Sequence, residues 1–162
     1  MDHNVGRRFS PDNEELINYY LRLKLLGLHE VVDDMIAEVD FFKHEPWDLP
    51  ALSAIKGNDQ VWYFIYKLDR YPNGTQVKRK TRTGYWKVTS KDRIVLNRDS
   101  TKEIGIKKIL TYYIGGVFEG VKTNWIIHEY HPTAPDFPNP GPYVICRLKE
   151  KADEKADEDE VK

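Results

Sequence analysis

Hydrophobic positions follow two different rhythms along the chain. After Ser10-Pro11-Asp12, the residues Leu16, Tyr19 or Tyr20, Leu23 and Leu26 recur at three- and four-residue intervals, which puts an apolar stripe on one face of a helix. The tripeptide reads as the helix start: Ser10 offers a capping hydroxyl, Pro11 suits the first turn, and acids favour the positive end of the helix dipole. Gly27 is placed to end the helix. From residue 36 the helical spacing is gone. Residues 36–40 alternate briefly, and Glu45-Pro46-Trp47-Asp48-Leu49-Pro50 carries prolines that forbid long regular structure. Val61-Trp62-Tyr63-Phe64-Ile65-Tyr66 is β-branched and aromatic and predicts a central strand. Tyr71-Pro72-Asn73-Gly74 supplies the chemistry of a reversal. Further strands are expected over 84–89, 107–114, 123–130 and 143–148, separated by connections containing glycine and proline. Strands do not alternate with long helices and no solenoid-length repeat is present, so the expected fold is α+β with an antiparallel sheet.

Composition narrows the class. A chain of 162 residues with 40% hydrophobic and 12% aromatic content matches one folded domain with its own core. Cys146 is the single cysteine, which excludes an internal disulfide and a multi-thiolate zinc site. No apolar run approaches the roughly 18 residues of a membrane span, and Met1-Asp2-His3-Asn4 lacks the features of a signal peptide. A soluble intracellular protein is expected. Residues 150–160 are low in complexity and have no apolar face, so the expected organisation is a domain over 1–149 and an acidic, disordered tail over 150–162.

Charge changes the picture most. The net charge is only −1, but residues 61–108 hold 13 Lys and Arg against 4 Asp and Glu, whereas residues 1–60 hold 6 against 12. A basic centre of this kind attracts a polyanion, although charge alone fits a solvated surface equally well. Within it, Lys78-Arg79-Lys80-Thr81-Arg82-Thr83-Gly84-Tyr85-Trp86-Lys87-Val88-Thr89-Ser90-Lys91-Asp92-Arg93 is dense in cations and rings. Cations bond phosphate oxygens and displace counterions, while Thr, Ser, Lys and Val methyls suit base edges and thymine methyls. On a strand, Trp86, Val88 and Ser90 share one face and Lys87, Thr89 and Lys91 the other, so one face can anchor while the other reads. The bland reading is a surface hairpin whose aromatics, Tyr85 or Trp86, turn into the core.

Enzymatic chemistry finds little support. His128 and Glu129 are adjacent, and neighbours on a strand point to opposite faces, so they do not act together. His3, His29, His44 and His131 follow no metal-ligand spacing, and no nucleophile motif or phosphate loop is present. No cofactor, metal or small-molecule substrate is expected.

A series of ordered blocks resembles the NAC domain of plant transcription factors, over nearly the whole chain to about Lys149. They begin with Val5-Gly6-Arg7-Arg8-Phe9-Ser10-Pro11-Asp12-Asn13-Glu14-Glu15-Leu16 and continue through residues 36–50, Trp62-Tyr63-Phe64 and Tyr71-Pro72-Asn73-Gly74. Gly84-Tyr85-Trp86-Lys87-Val88-Thr89-Ser90-Lys91-Asp92, Ile104-Gly105-Ile106-Lys107-Lys108, Thr123-Asn124-Trp125-Ile126-Ile127-His128-Glu129-Tyr130 and residues 143–148 follow. The resemblance implies a twisted antiparallel β-sheet flanked by a few helices, sequence-specific binding to double-stranded DNA, action in the nucleus, and a homodimer or a heterodimer with related NAC proteins. Dimerisation is expected through Val5, Gly6, Arg7, Arg8, Phe9, Pro11 and Glu15, with Arg8 and Glu15 as a reciprocal ion pair.

DNA contacts carried over by position, together with the basic segment, are Arg70, Lys78, Arg79, Lys80, Arg82, Tyr85, Trp86, Lys87, Val88, Thr89, Ser90, Lys91, Arg93 and Lys122, with residues 86–93 as the groove-entering strand. If Arg79 pairs with phosphate, its removal lowers the salt slope of binding by about one. Gln76, Gly116 and Glu119 stand where the family is commonly basic, so fewer phosphate contacts are expected, and Val88 and Ser90 replace its Ala and Gly in the reading strand, so base preference or fit is expected to differ from the family's. Two rival readings remain. One is an interaction module of NAC fold that pairs with relatives and binds DNA weakly, to which a short chain ending in an acidic tail lends weight. The other is single-strand binding on exposed sheet aromatics, whereas duplex reading is expected to bury most of Trp47, Trp62 and Trp125.

Overall fold

The computed structural model describes residues 9–56 and 59–152. Val5, Gly6, Arg7 and Arg8 of the expected dimer block, and the acidic tail from residue 153, lie outside the described residues. Seven strands form one sheet: β1 (Ala37–Glu38), β2 (Val61–Lys67), β3 (Gly84–Val88), β4 (Arg93–Leu96), β5 (Glu103–Ile114), β6 (Val121–Pro132) and β7 (Tyr143–Glu150), in the order β1-β2-β7-β6-β5-β3, with β4 also on β5. All pairings are antiparallel except the two-residue β1 on β2. The helices are α1, wound with π geometry over Glu15–Leu21 and running on as α-helix over Arg22–Leu25, and α2 (His29–Asp33), with 3₁₀ turns at Phe41–Lys43 and Pro46–Leu52. Among the described residues no helix is long and apolar enough to cross a membrane.

Both faces of the sheet are covered, one at a time. Leu16, Ile17 and Leu21 of α1, with Val32 and Ile36, pack on Tyr63, Ile65, Val95, Ile104, Tyr130 and Ile145. On the opposite face Phe41 and Leu49, from the proline-interrupted segment, pack on Phe64, Tyr66, Trp86, Tyr112, Ile127 and Leu148. A strand covered on both sides needs apolar residues at successive positions, which is why 61–66 reads as an unbroken apolar run. That strand is not central, however: β2 is second from the edge, and its outer side is met only by β1. The middle of the sheet is β7-β6-β5, whose long strands supply most of the ladder.

Helix α1 begins and ends by named devices. Its cap is Asp12, not Ser10: the Asp12 carboxylate accepts from the Glu15 amide at 2.8 Å and the Glu15 carboxylate accepts from the Asp12 amide at 2.9 Å, a reciprocal capping box. At the other end Gly27 takes φ +86°, donating to the Lys24 carbonyl while Leu28 donates to that of Leu23, the paired bonds of a Schellman ending. Leu26, expected on the apolar stripe, is exposed because it already sits at the cap, where the chain leaves the helix at ψ 2°. Tyr19 is exposed and Tyr20 is the residue packed inward.

Candidate nucleic-acid interface

Strand β3 forms an edge. One side pairs with β5, from Gly84 opposite Ile114 to Val88 opposite Leu110. Its other side is met only at the start: the Trp86 amide donates to the Arg79 carbonyl, Thr81 donates to the Gly84 carbonyl, and Lys80 bridges to Tyr85. Beyond Trp86 the outer edge pairs with no strand among the described residues. The regular strand stops at Val88, so the expected groove element 86–93 is a strand end, a connection over 89–92 and the first residue of β4. An unpaired, twisted, cation-bearing edge can approach another molecule's backbone closely.

The two faces of β3 have separate tasks. Trp86 is 3% exposed and packs against Tyr112 and Phe41. Although expected among the contact residues, it sits in the core, because its face looks into the second apolar cluster. Val88, two residues on along the same face, has run past that cluster and is 47% exposed. On the opposite face Tyr85 stacks on Tyr113 with centroids 5.5 Å apart, and Lys87 Nζ lies 5.5 Å from the centroid of the same ring. Thr89 and Thr111 join by their hydroxyls at 3.2 Å.

This face is concave and basic. A hollow of about 970 Å³ is lined by Lys87, Thr89, Ser90, Lys91 and Arg93 from the β3–β4 edge and by Lys122 and Lys151 from further across; among the described residues no Asp or Glu lines it. Beside it on β6, paired with the lining residue Ile109, stands His128, whose imidazole is pushed down to about 3 by burial first and then by Lys149, Lys107, Arg147 and Lys151. Lys107 is lowered by burial, then by Arg93, Arg147 and Lys149. Burial leads both shifts, and the neighbouring cations add to it in the same direction. Glu129, next in sequence, faces the opposite core, so the pair is indeed split between faces.

Other expected contacts fall around this edge. Lys80, Arg82, Lys87, Lys91, Arg93 and Lys122 are exposed. Lys78 approaches Asp69 at 3.3 Å and lies over the Tyr71 ring, Arg70 donates to the Thr75 carbonyl, and Ser90 donates to the Lys91 carbonyl. Arg79 is turned inward. Its guanidinium meets Glu129 edge to edge, at 2.6 and 2.9 Å, with the Arg side chain 13% exposed and the Glu 0%. Tyr66 donates to the same carboxylate at 2.6 Å and His131 lies 2.8 Å from it. Burial alone would raise the Glu129 carboxyl, but the His131 and Arg79 bonds and the Arg79 charge outweigh it and hold it at about 2. Arg79 therefore anchors the 70–83 excursion to the sheet.

Sequence reasoning missed two carboxylates. Glu129 had a signal, a charged residue within an apolar strand that must be paired if buried. Glu45 had none, since its Glu-Pro-Trp-Asp context reads as a turn. It accepts from Thr81 and Thr83 hydroxyls at 2.8 and 2.7 Å, the Tyr112 hydroxyl at 2.7 Å and the Arg82 amide at 3.1 Å. Burial would raise its carboxyl, but the bonds from Tyr112, Thr83, Thr81 and the Arg82 amide hold it below its ordinary value. Among the tryptophans, Trp125 is 8% exposed and stacks on partly buried Trp62, while Trp47 is 44% exposed, contrary to its expected burial, because its ring lies edge-on to Tyr112 at the rim.

Of the expected dimer residues that are described, Phe9 packs edge-on to Tyr20 and Tyr63. The Pro11 carbonyl accepts from Arg147 at 2.8 Å. Glu15 caps Asp12 and lies 3.8 Å from Arg98, whose Nε is 2.8 Å from Asp12. Burial would raise the Asp12 carboxyl, but the Arg98 bond, the Glu15 amide and nearby guanidinium charges hold it low. Among the described residues no cluster of His, Cys, Asp or Glu is arranged to hold a metal.

Residues 4–132 match the family model described as No apical meristem (NAM) protein. The chain is 47% identical over 154 residues to NAC domain-containing protein 45 of Arabidopsis thaliana, covering 90% of this chain and 31% of that protein. It is 44% identical over 152 residues to NAC domain containing protein 50, covering 90% and 33%, and 46% identical over 154 residues to NAC domain-containing protein 86, covering 90% and 31%, both of Arabidopsis thaliana. The chain thus spans about a third of the length of these relatives. With an ordered set of motifs, a matching α+β sheet and these identities, the chain belongs to the NAC domain family.

Proposed function

We propose that the chain is a sequence-specific, double-stranded DNA-binding transcription regulator that acts in the nucleus as a dimer with itself or a related NAC protein. The observation that carries this is the β3 edge beside a concave face lined by five cations and no acid among the described residues. Lys80, Arg82, Lys91, Arg93 and Lys122 supply phosphate contacts, which fix register without reading sequence. Lys87, Val88 and Thr89 present an amine, methyls and a hydroxyl from the exposed end of β3, the groups that read major-groove edges. Arg79 and Trp86 hold the strand from behind. The Val5–Phe9 block with Pro11 and Glu15 provides the dimer contact, in which Arg8 of one protomer reaches Glu15 of its partner.

Selection of bound duplexes from a random pool, run with the wild type and with Lys87→Ala, tests the reading. An enriched motif that Lys87→Ala loses supports it. No enrichment by the wild type favours an interaction module of the same fold. Sedimentation of Arg8→Glu at low concentration tests the dimer contact, and an intact dimer overturns it.

A further inference from the structure

We propose that Glu45 is a positioning residue for DNA recognition: its carboxylate gathers the 81–83 turn and thereby sets the direction in which β3 presents Lys87, Val88 and Thr89. This rests on the reading of β3 as the strand that meets DNA.

An edge strand is held by a ladder on one side only, so its entry turn decides where it points. Here that turn closes around a residue 36 to 38 positions away in sequence. Three oxygen donors converge on Glu45 Oε1, and the Arg82 amide meets Oε2. The Thr81 hydroxyl also lies 2.6 Å from the Tyr112 hydroxyl, and the Gly84 amide donates to the Thr81 hydroxyl at 3.2 Å. The first residue of β3 is thus tied to the same knot. Gly84 permits it: a Cβ there would stand 2.0 Å from the Tyr113 carbonyl oxygen and 2.7 Å from the Tyr112 hydroxyl.

The position of this charge is informative. Glu45 lies against the chain's most basic stretch, yet among the described residues it forms no ion pair with Lys78, Lys80 or Arg82; its partners are hydroxyls and an amide. A carboxylate beside a polyanion-binding edge lowers the local positive potential and so opposes DNA affinity. Its contribution is geometric, and the two effects have opposite signs. Removing the charge therefore separates them.

Glu45→Gln keeps the shape but turns a donor group toward at least one of the converging donors. In the full chain, binding of the selected duplex and of an unrelated duplex is measured across salt, with thermal melting and hydrogen exchange of the Arg82 amide. The expected result is a fall of about tenfold in the specific-to-non-specific ratio, the equivalent of one hydrogen bond to a charged group. Non-specific affinity and its salt slope stay equal to the wild type or rise, the Arg82 amide exchanges faster, and the melting temperature is kept. Thr83→Ala, which removes one donor and leaves the charge, lowers the ratio in the same direction. An unchanged ratio with a deprotected Arg82 amide overturns the proposal. So does a parallel fall of both affinities with the melting temperature, which marks a purely structural role. A wild type that enriches no motif overturns the DNA reading and the proposal with it, and the wild-type arm alone reveals that case.

Discussion

Arg79 and Glu129, fifty residues apart in sequence, meet edge to edge behind β3, with Nη1 to Oε2 at 2.6 Å and Nη2 to Oε1 at 2.9 Å. The carboxylate is wholly buried and also receives the Tyr66 hydroxyl. Replacing Glu129 by Ala leaves a largely buried guanidinium without its counter-charge, which costs about 3–5 kcal/mol. The urea midpoint at pH 7 reports it, and a loss below about 1 kcal/mol would show the pair to be dispensable. Arg79→Ala is expected to act through the same loss of stability. Under folding conditions it leaves the salt slope of DNA binding at the wild-type value, whereas a slope reduced by about one would restore Arg79 as a phosphate ligand.

The same carboxylate predicts acid sensitivity. Glu129 is held at about 2 in the folded chain against an ordinary value of 4.5. A depressed folded value means that its stabilisation is fully present above pH 4.5 and is lost as pH falls towards 2. Glu129→Gln should flatten the dependence of the urea midpoint on pH across that window, and an unchanged profile would assign acid unfolding to other groups.

His128 is held neutral by burial first and by the surrounding cations second. Its value of about 3, against 6.5, means that the unfolded chain takes up a proton below pH 6.5 while the folded chain does not. Its contribution therefore lowers stability as pH falls from 6.5 towards 3. In an NMR titration the free protein should keep this imidazole neutral at pH 5, and added duplex should raise its titration point by offsetting the surrounding lysines. No movement on saturation with DNA would place the duplex away from this face.

Cations on the exposed rim should act additively. Lys91→Ala and Arg93→Ala are each expected to reduce the magnitude of the slope of log K against log salt by about 0.9, with melting unchanged, as each neutralises one phosphate. Lys87→Ala should instead abolish the selected motif, since Lys87 lies on β3 and Arg93 opens β4.

Local devices were legible from residue order because their partners are close in sequence. The helical spacing of Leu16, Tyr20 and Leu23, the Gly27 ending, the β-prone run at 61–66 and the concentration of cations in 61–108 all follow from short-range geometry and chain chemistry. Even there a choice between neighbours was missed: Asp12 rather than Ser10 caps the helix, because Glu15 is three residues beyond Asp12 and closes the box. The ordered motifs also carried the family. Long-range pairing decided the rest. Whether Trp86 reads or packs depends on where the second apolar cluster ends along β3, and whether Arg79 meets phosphate or carboxylate depends on Glu129 in a strand laid beside it only by the sheet order. Glu45 reaches the 81–83 turn only when the 41–52 segment folds over the Trp86 face of the sheet. A residue's type states what it can bond; burial and the groups brought within about 3 Å decide which of those bonds it makes.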